Sequence, residues 1–279
     1  MLSIEKIKKL PDGPGVYFFM RGREILYIGK ATSLRDRVRS YFSSAPGGLV
    51  ASRGNRIVQM LALATGVRYQ KTDSVLEALF LESVLIKKHQ PKYNAREKDD
   101  KSYWHVVITE EEYPRVLMVR GKDLLRGGEN SDRFTHLLMG SDTTHNFPLL
   151  SAFGPFPNSN ELREALRLIR KILPFRDKCK PLIGKKCFNA QIGLCPGVCV
   201  GAITLIAYCR RISHLKLLLA GRVRPLISTF IREMFSSVRK QDFERSAQLR
   251  DQIHALEHVQ DISLIKNPPD VFMSRHRLD

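Results

Sequence analysis

Two tyrosines could take part in hydrolytic chemistry because they lie on the two arms of one short predicted β-hairpin. The stretch GVYFFMRGREILYIGKA at 15–31 carries Tyr17 on the first arm and Tyr27 on the second. Pairing Tyr17 with Tyr27 centres the hairpin on Gly22 and places the two rings directly opposite each other on one face. On hairpin physics alone, a cross-strand aromatic pair that only stabilises the sheet is the simpler interpretation.

The helix predicted at 33–42 adds a cation to the same surface. Ser33 is a suitable N-cap, and the apolar stripe of this helix consists of Leu34, Val38, Tyr41 and Phe42. Arg37 lies about 60° from Leu34 around the helix axis, beside the stripe, whereas Arg39 points away from it. We therefore expect Arg37 to lean over the sheet, next to the tyrosines.

Glu82 is an unusual residue for its position in the helix predicted at 74–88. It lies between Leu81 and Leu85, in a run of apolar residues. An ionised carboxylate in such surroundings must be paired, bind a metal ion, or lose its charge. An ordinary ion pair with a Lys or Arg is the alternative to a metal site.

Four cysteines form a second group that could do chemistry. Cys179, Cys187, Cys195 and Cys199 have the spacing C-x7-C-x7-C-x3-C and lie among several lysines, which favour thiolates. In a reducing compartment this clustering predicts a tetrathiolate metal site, with a reduced, packed loop as the alternative. Cys209 lies apart, in an apolar segment, and is expected to be buried.

Charge points to a polyanionic partner. The chain of 279 residues has 46 Lys+Arg and 28 Asp+Glu, a formal net charge of +18. From Glu161 to Arg224 there are 14 basic and 3 acidic residues, a net charge of +11. This excess favours nucleic acid or an anionic membrane surface. The longest apolar stretch is shorter than the about 20 residues that a membrane span needs, and no secretory leader is visible, so we expect a cytoplasmic protein.

The elements that must position these residues indicate an α+β fold. Helices and strands alternate over 1–100, with a strand at 66–71, which is typical of a compact α+β domain. Strand-like runs, a basic amphipathic helix and the cysteines make 101–220 a mixed middle region. Apolar positions at helical spacing, with a break near Lys240–Asp242, predict a helical hairpin over 221–262, and 263–279 reads as a polar tail.

The order and spacing of these residues resemble the GIY-YIG nuclease family. The resemblance is carried by Gly15-Val16-Tyr17, Tyr27-Ile28-Gly29-Lys30, Arg37, Glu82 and Asn94. The stretches GPGVYFF, LYIGKATSLRDRVRSYF, EALFLESVLIKKHQPKYNAREKDDKSY and AFGPFPN are similar, more closely, to the N-terminal half of the UvrC excision-repair nucleases. The resemblance implies a GIY-YIG nuclease domain at 1–100, with a small antiparallel sheet and flanking helices.

Metal-dependent phosphodiester hydrolysis is the activity that this resemblance implies. Glu82 would hold one Mg²⁺ or Mn²⁺ ion, which polarises the scissile phosphate. Arg37 would offset charge that develops on the phosphoryl oxygens. Asn94 would orient the metal shell or the attacking water.

The tyrosines would act on that water. Tyr17 and Tyr27 would position or deprotonate it, and Lys30 would supply the cationic help that a phenolic base needs at neutral pH. Which tyrosine is the base stays open. Tyr41 matches an aromatic position of the family, but core packing explains it at least as well.

For the cysteines, the resemblance implies a structural [4Fe–4S] cluster held by Cys179, Cys187, Cys195 and Cys199, with zinc as the alternative. The surrounding basic segment would then contact DNA phosphates in a salt-sensitive, largely sequence-independent way.

The resemblance also implies partners. FERSAQLRDQIHAL, in the 221–262 region, resembles the UVR motif through which UvrC proteins meet UvrB. Damaged double-stranded DNA, UvrB and, indirectly, UvrA are the implied partners, without a membrane. In UvrC proteins, 5′ incision is carried out by a second half of the protein, which we do not expect in this chain. The activity that the resemblance implies is therefore 3′ incision by a truncated UvrC-like protein. The alternatives are a non-catalytic UvrB- and DNA-binding adaptor and a stand-alone Cho-like repair nuclease.

Overall fold

A computed structural model describes residues 7–42, 55–94, 103–126 and 149–257 of the chain. The predicted tail at 263–279 and the end of the predicted hairpin region, 258–262, lie outside the described residues. No helix in the described ranges is both long enough and apolar enough to cross a bilayer.

The first sheet is small and antiparallel, as predicted. It contains β1 (Gly15–Arg21), β2 (Glu24–Ala31) and β3 (Gly66–Lys71), in the order β2-β1-β3. Strand β2 is therefore an edge strand on one side. Because side chains alternate along a strand, Tyr17 and Phe19 face one side of the sheet, and Val16 and Ile28 face the other.

The predicted hairpin register is wrong. Tyr17 pairs with Gly29, and Tyr27 pairs with Phe19, so the tyrosines are diagonal neighbours and not directly opposed. Gly22 has φ 60°, which allows a tight two-residue turn, and the register shifts at Phe19/Met20. The tight turn and this irregularity together displace the pairing from the predicted centre.

Three helices cover this sheet. They are α1 (Leu34–Arg39), α2 (Asn55–Leu63) and α3 (Val75–His89). Ser33 caps α1 by accepting a hydrogen bond from the Asp36 backbone, and Ser74 caps α3 in the same way through Glu77. α1 ends at Arg39, three residues earlier than predicted.

The middle region is built on a second antiparallel sheet. Strands β4 (Trp104–Thr109), β5 (Val116–Arg120) and β6 (Leu149–Phe156) pair in the order β5-β4-β6. The helices of this region are α4 (Gly121–Arg126), α5 (Ser159–Ile172), α6 (Phe188–Gln191) and α7 (Leu205–Leu219), with a 3₁₀ turn at Val198–Val200. Asn158 caps α5 with its side chain.

Two further helices, α8 (Val223–Arg239) and α9 (Phe243–Glu257), pack on each other. Phe230 and Leu249 bury their side chains in the core of the middle region. Leu79 and Phe80 of α3 belong to the same core, while Ala78 of α3 packs under the first sheet. Helix α3 is thus buried on two sides and joins the two sheets, which brings residues of the middle region next to β2.

Candidate nuclease site and cysteine cluster

Three tyrosines form a buried cluster on one face of the first sheet. The hydroxyl groups of Tyr17 and Tyr41 are 2.8 Å apart and share a hydrogen bond. The ring centroids of Tyr17 and Tyr27 are 6.2 Å apart, so the diagonal register still brings these rings together. Tyr41 is 2% exposed, so it packs in the core and also presents its hydroxyl to the site.

Gly29 makes this cluster sterically possible. A Cβ atom on Gly29 would lie 2.4 Å from the Tyr17 hydroxyl oxygen, which is closer than real contacts allow. The Tyr17 ring therefore occupies the space that any other residue at position 29 would fill. The turn and the strand pairing of the hairpin do not require a glycine at position 29, whereas the contact with the Tyr17 ring does.

Arg37 is the cation of the tyrosine cluster. It is half-buried, while Arg39 is exposed, as the helical spacing predicts. The Arg37 Cζ atom lies 5.8 Å from the centroid of the Tyr41 ring. Burial, then the neighbouring Tyr41, raises the pKa of both Tyr17 and Tyr27, and Arg37 partly offsets this rise.

Lys30, near the end of β2, forms an ion pair with a residue of the middle region. Its ammonium nitrogen is 2.6 Å from Oε2 of Glu161, and the two side chains are 22% and 12% exposed. Burial opposes the charged form, but Glu82 and Glu161 together raise the pKa of Lys30. The role of Lys30 toward the tyrosines stays a prediction, and in this structure Arg37 is a cation that partly offsets the rise in their pKa.

Sequence reasoning missed Glu161. This residue lies in the first turn of α5, where a carboxylate is favourable in any helix, so its position gave no signal of a function. Its contact with Lys30 depends on α3, which fixes the two sheets relative to each other. A residue of the middle region thus reaches the nuclease site.

Glu82 lies on the other side of β2 and is 6% exposed. Its Oε1 accepts a hydrogen bond of 2.9 Å from the Lys30 backbone nitrogen. Glu82 forms no ion pair within the part of the chain that the structure describes. Burial raises the pKa of Glu82, and Lys30 partly offsets this effect. A buried carboxylate that has no ion pair among the described residues fits a Mg²⁺ or Mn²⁺ ligand.

Asn94 holds the edge of the sheet. Its Oδ1 accepts from the Ile28 backbone nitrogen and its Nδ2 donates to the Ile28 carbonyl, each at 2.7 Å. The amide thereby replaces a neighbouring strand along β2. Asn94 positions the backbone two residues before Lys30, and its role toward a metal or water stays a prediction.

Glu82, Lys30, Arg37 and Tyr27 lie near one another beside β2. Arg37 and Lys30 both act on the pKa of Glu82, and the charge of Glu82 raises the pKa of Tyr27. These groups therefore lie within electrostatic reach of one another. A carboxylate for a cation, a guanidinium for phosphate oxygens and phenols for water are combined in one place.

All four clustered cysteines come together, as predicted. The Sγ atoms of Cys179, Cys187 and Cys199 all lie within 4.8 Å of one another, and Cys195 Sγ is 3.9 Å from Cys179 Sγ. The hydrogen bond with Cys179, followed by backbone amides, lowers the pKa of Cys195 to about 6. The four thiols form a donor set that suits zinc or an iron–sulfur cluster.

The expectation that Cys209 is buried is wrong. Cys209 is exposed, whereas Tyr208, Ile212 and Leu215 form the buried face of α7. One residue step along a helix turns the side chain by about 100°, so Cys209 points away from the core that Tyr208 enters.

Comparison with known proteins defines the class of this site. Residues 13–95 match the UvrC-like GIY-YIG domain, so the first sheet and its helices are a GIY-YIG endonuclease domain. Residues 103–217 match the UvrC/Cho excinuclease middle domain. The chain belongs to the UvrC family of excinucleases.

Curated relatives extend this similarity over nearly the whole chain. UvrABC system protein C of Desulforudis audaxviator is 36% identical over 264 residues, which are 93% of this chain and 38% of the relative. The protein of the same name from Carboxydothermus hydrogenoformans is 36% identical over 281 residues, 98% of this chain and 42% of the relative. The chain thus spans about two fifths of the length of these relatives.

A solved structure is similar to the first domain. The GIY-YIG N-terminal endonuclease domain of UvrC from Thermotoga maritima, bound to its catalytic divalent cation, magnesium, is 34% identical. The similarity covers 33% of this chain and 93% of that chain, with a TM-score of 0.29.

Proposed function

We propose that this chain is a metal-dependent DNA endonuclease of nucleotide excision repair that makes the 3′-side incision at a damaged site, together with UvrB in the cytoplasm. The observation that carries the proposal is Glu82, a buried carboxylate without an ion pair in the described ranges. It lies within electrostatic reach of Arg37 and Tyr27. Membership of the UvrC family supports excision repair as the setting.

Each residue has a task in this proposal. Glu82 would hold the divalent ion, which would supply polarisation of the scissile phosphate when bound. Arg37, already beside the Tyr17 and Tyr41 hydroxyl groups, stabilises negative charge on the phosphoryl oxygens. Both Tyr17 and Tyr27 interact with the Tyr41 hydroxyl, but Glu82 is among the groups that shift the pKa of Tyr27 and not of Tyr17, so we assign the attacking water to Tyr27, which is nearer the proposed metal ligand.

A measurement of incision tests the proposal. Purified protein is mixed with UvrA, UvrB, Mg²⁺ and an end-labelled duplex that carries one lesion, and the cut position is mapped. Glu82→Gln keeps the size and the acceptor of the Lys30 amide but removes the charge, so we expect 3′ nicking to fall by about 100-fold or more with DNA binding unchanged. Glu24→Gln, at an exposed ion pair with Arg21 beside the turn between β1 and β2, is the matched control.

The outcomes separate the alternatives. Equal nicking by Glu82→Gln and the control contradicts the assigned site. Wild-type protein that binds DNA and UvrB without cutting at any metal concentration is an adaptor. Cutting that does not depend on UvrB indicates a stand-alone nuclease.

We also propose that the cysteine cluster holds a structural [4Fe–4S] cluster, with zinc as the alternative. The support is the close approach of the four thiols between helices that carry the basic segment. Anaerobic purification followed by iron, sulfide and zinc analysis and visible absorption identifies the group. Cys187→Ser should lower the metal content, whereas Cys209→Ser, at the exposed cysteine, should not.

UvrB docking is proposed for the end of the α8–α9 pair. Phe235 and Phe243 are 58% and 66% exposed near the turn between these helices, and Val238 is also exposed. Exposed aromatic residues at such density favour a protein partner. Phe243→Ser should weaken UvrB binding in a pull-down without lowering the thermal stability, since the side chain is already in solvent.

A further inference from the structure

A cavity of about 420 Å³ lies away from the nuclease site, between the cysteine segment and helices α7 and α9. One wall comes from Pro196, Ala202 and Ile203, which follow the cysteines Cys195 and Cys199. The opposite walls carry Arg210, Arg211 and His214 of α7 and Arg245 and Gln252 of α9. We call this the arginine cavity, after Arg210, Arg211 and Arg245.

Positive charge in the arginine cavity exceeds its negative charge. Glu233 is the carboxylate near it, with Oε1 3.5 Å from His214 Nε2 and Oε2 3.6 Å from Arg245 Nη2. Arg210 and Arg211 form no ion pair with any acidic residue of the described ranges. At least two guanidinium groups therefore have no carboxylate partner there, and the groups that favour the charged form of Arg211 are Tyr208 and Cys195.

Other arginines of the same basic segment form ion pairs with carboxylates. Arg170 binds Asp177 at 2.8 Å, and Arg176 binds Glu111. Both pairs are largely buried and hold the loops of the middle region together. The fold thus supplies carboxylates to arginines that it uses for its own structure, but not to Arg210 and Arg211.

This arrangement is unfavourable until an anion enters. Arg211 is half-buried, and burial followed by the charge of Arg245 lowers its pKa. Gathering like charges around a partly enclosed space costs free energy that a bound anion recovers. Arg210 is exposed and borders the cavity from the solvent side, whereas Arg211 and Arg245 are half-buried.

We propose that the arginine cavity binds successive phosphates of the DNA backbone. The guanidinium fork matches phosphate oxygens, and several arginines on two helices suit a chain of phosphates better than a single ion. The inference rests on the proposed function for the identity of the polyanion. It adds a contact that lies in the middle region and on α9, outside the nuclease domain.

Salt dependence of DNA binding tests the proposal. Affinity for a short duplex is measured over a series of salt concentrations with wild-type protein and Arg210→Gln/Arg211→Gln. Each lost phosphate contact lowers the slope of log affinity against log salt by about 0.9, so we expect a slope reduced by about 1 to 2 and affinity about 10-fold lower at physiological salt. Arg210→Lys/Arg211→Lys keeps the charge and should keep most of the slope.

Matched controls decide the outcome. Arg163→Gln/Arg167→Gln removes the same charge from exposed positions of α5, and an equal loss of slope in this variant overturns the proposal, because general attraction would then explain the effect. Thermal unfolding of each variant excludes loss of folding as the cause. If inorganic polyphosphate competes with duplex for wild-type protein but the double Gln variant keeps its duplex affinity, the cavity binds a free polyanion and the proposal is also overturned.

The nuclease assignment is tested separately. Glu82→Gln should lose nicking and keep the full salt slope. A wild-type protein without nicking activity would contradict the proposed function, while a slope that falls in the Arg210/Arg211 variant would still support the arginine cavity.

Discussion

At the nuclease site each cation has a partner within the protein, whereas in the arginine cavity two cations have none among the described residues. Lys30 is paired with Glu161, and Arg37 lies against the tyrosines. The charge left over at that site is the carboxylate of Glu82. In the arginine cavity, the charges left over are Arg210 and Arg211.

At each of the two sites, the sign of the charge that has no ion-pair partner indicates the ligand. A buried carboxylate favours a divalent cation, and grouped guanidinium groups favour phosphate. The difference also predicts how each site fails. Changes at the nuclease site should disturb a geometry that the protein has already fixed, and changes in the arginine cavity should alter only the strength of binding.

The largest expected effect comes from Gly29→Ala, which tests whether the nuclease geometry is fixed in advance. The added Cβ would overlap the Tyr17 hydroxyl, so the tyrosine ring must move. A misplacement of about 1 Å can lower catalysis by about 100-fold, and we expect a nicking rate reduced by at least that factor. DNA binding through the arginine cavity should be unchanged.

Gly66→Ala is the matched control, because a Cβ at Gly66 in the same sheet meets nothing within 4 Å. Comparable nicking by the two alanine variants would show that the position of Tyr17 is not critical. The comparison uses single-turnover rates on a saturating damaged duplex, so that binding does not contribute.

A smaller effect is expected from Glu161→Gln, which removes the negative partner of Lys30. We expect nicking to fall by about 10-fold, because the freed ammonium group can move toward Glu82 and compete with the metal ion. Higher Mg²⁺ should then restore part of the rate, and a merely structural role would not give this rescue. Glu164→Gln, at an exposed residue of the same helix turn, should leave the rate and its Mg²⁺ dependence unchanged.

Local patterns predicted much of the fold. The β-strand at 66–71 and the cap at Ser33 agree with the structure because each depends on neighbouring residues. The hairpin register did not follow from the sequence, since the left-handed conformation of Gly22 and the shift at Phe19/Met20 changed the pairing.

Contacts between distant segments were the part that local patterns could not predict. Glu161 reaches Lys30 only because α3 is buried against both sheets. The spacing of Arg210, Arg211 and Arg245 likewise gave no sign of a shared cavity, which depends on how α7 and α9 pack. Tyr41 was expected either to pack in the core or to belong to the site, and it does both. Its ring is buried and its hydroxyl group shares a hydrogen bond with Tyr17.

The free energy of unfolding of Glu82→Gln, measured without metal, tests whether the negative charge of Glu82 destabilises the folded protein. Burial raises the pKa of Glu82 in the folded protein, so the folded state holds this proton more tightly than the unfolded state. The contribution of Glu82 to stability is therefore most favourable below its unfolded pKa and is lost as pH rises through the folded pKa. In chelator at neutral pH, we expect Glu82→Gln to raise the free energy of unfolding by about 1 kcal/mol, and this gain should disappear in acid.

Urea denaturation at a series of pH values measures this gain. The Glu24→Gln variant, at an exposed ion pair, should show no comparable change. Destabilisation by Glu82→Gln at neutral pH would mean that the charge is already satisfied by the protein, and it would remove the main support for a cation at this site.

The smallest expected effect is the corresponding change in the arginine cavity. Arg211→Gln removes a half-buried charge that is repelled by Arg245, so the variant should be more stable than wild type by about 0.5 kcal/mol at low salt. Because the repulsion is partly screened, the gain should shrink as sodium chloride is added. Inorganic polyphosphate should stabilise wild-type protein more than Arg211→Gln in a thermal shift measurement, since it supplies the missing negative charge. If Arg211→Gln is instead less stable at every salt concentration, the guanidinium group supports the fold, and the contrast between paired and unpaired cations no longer distinguishes the two sites.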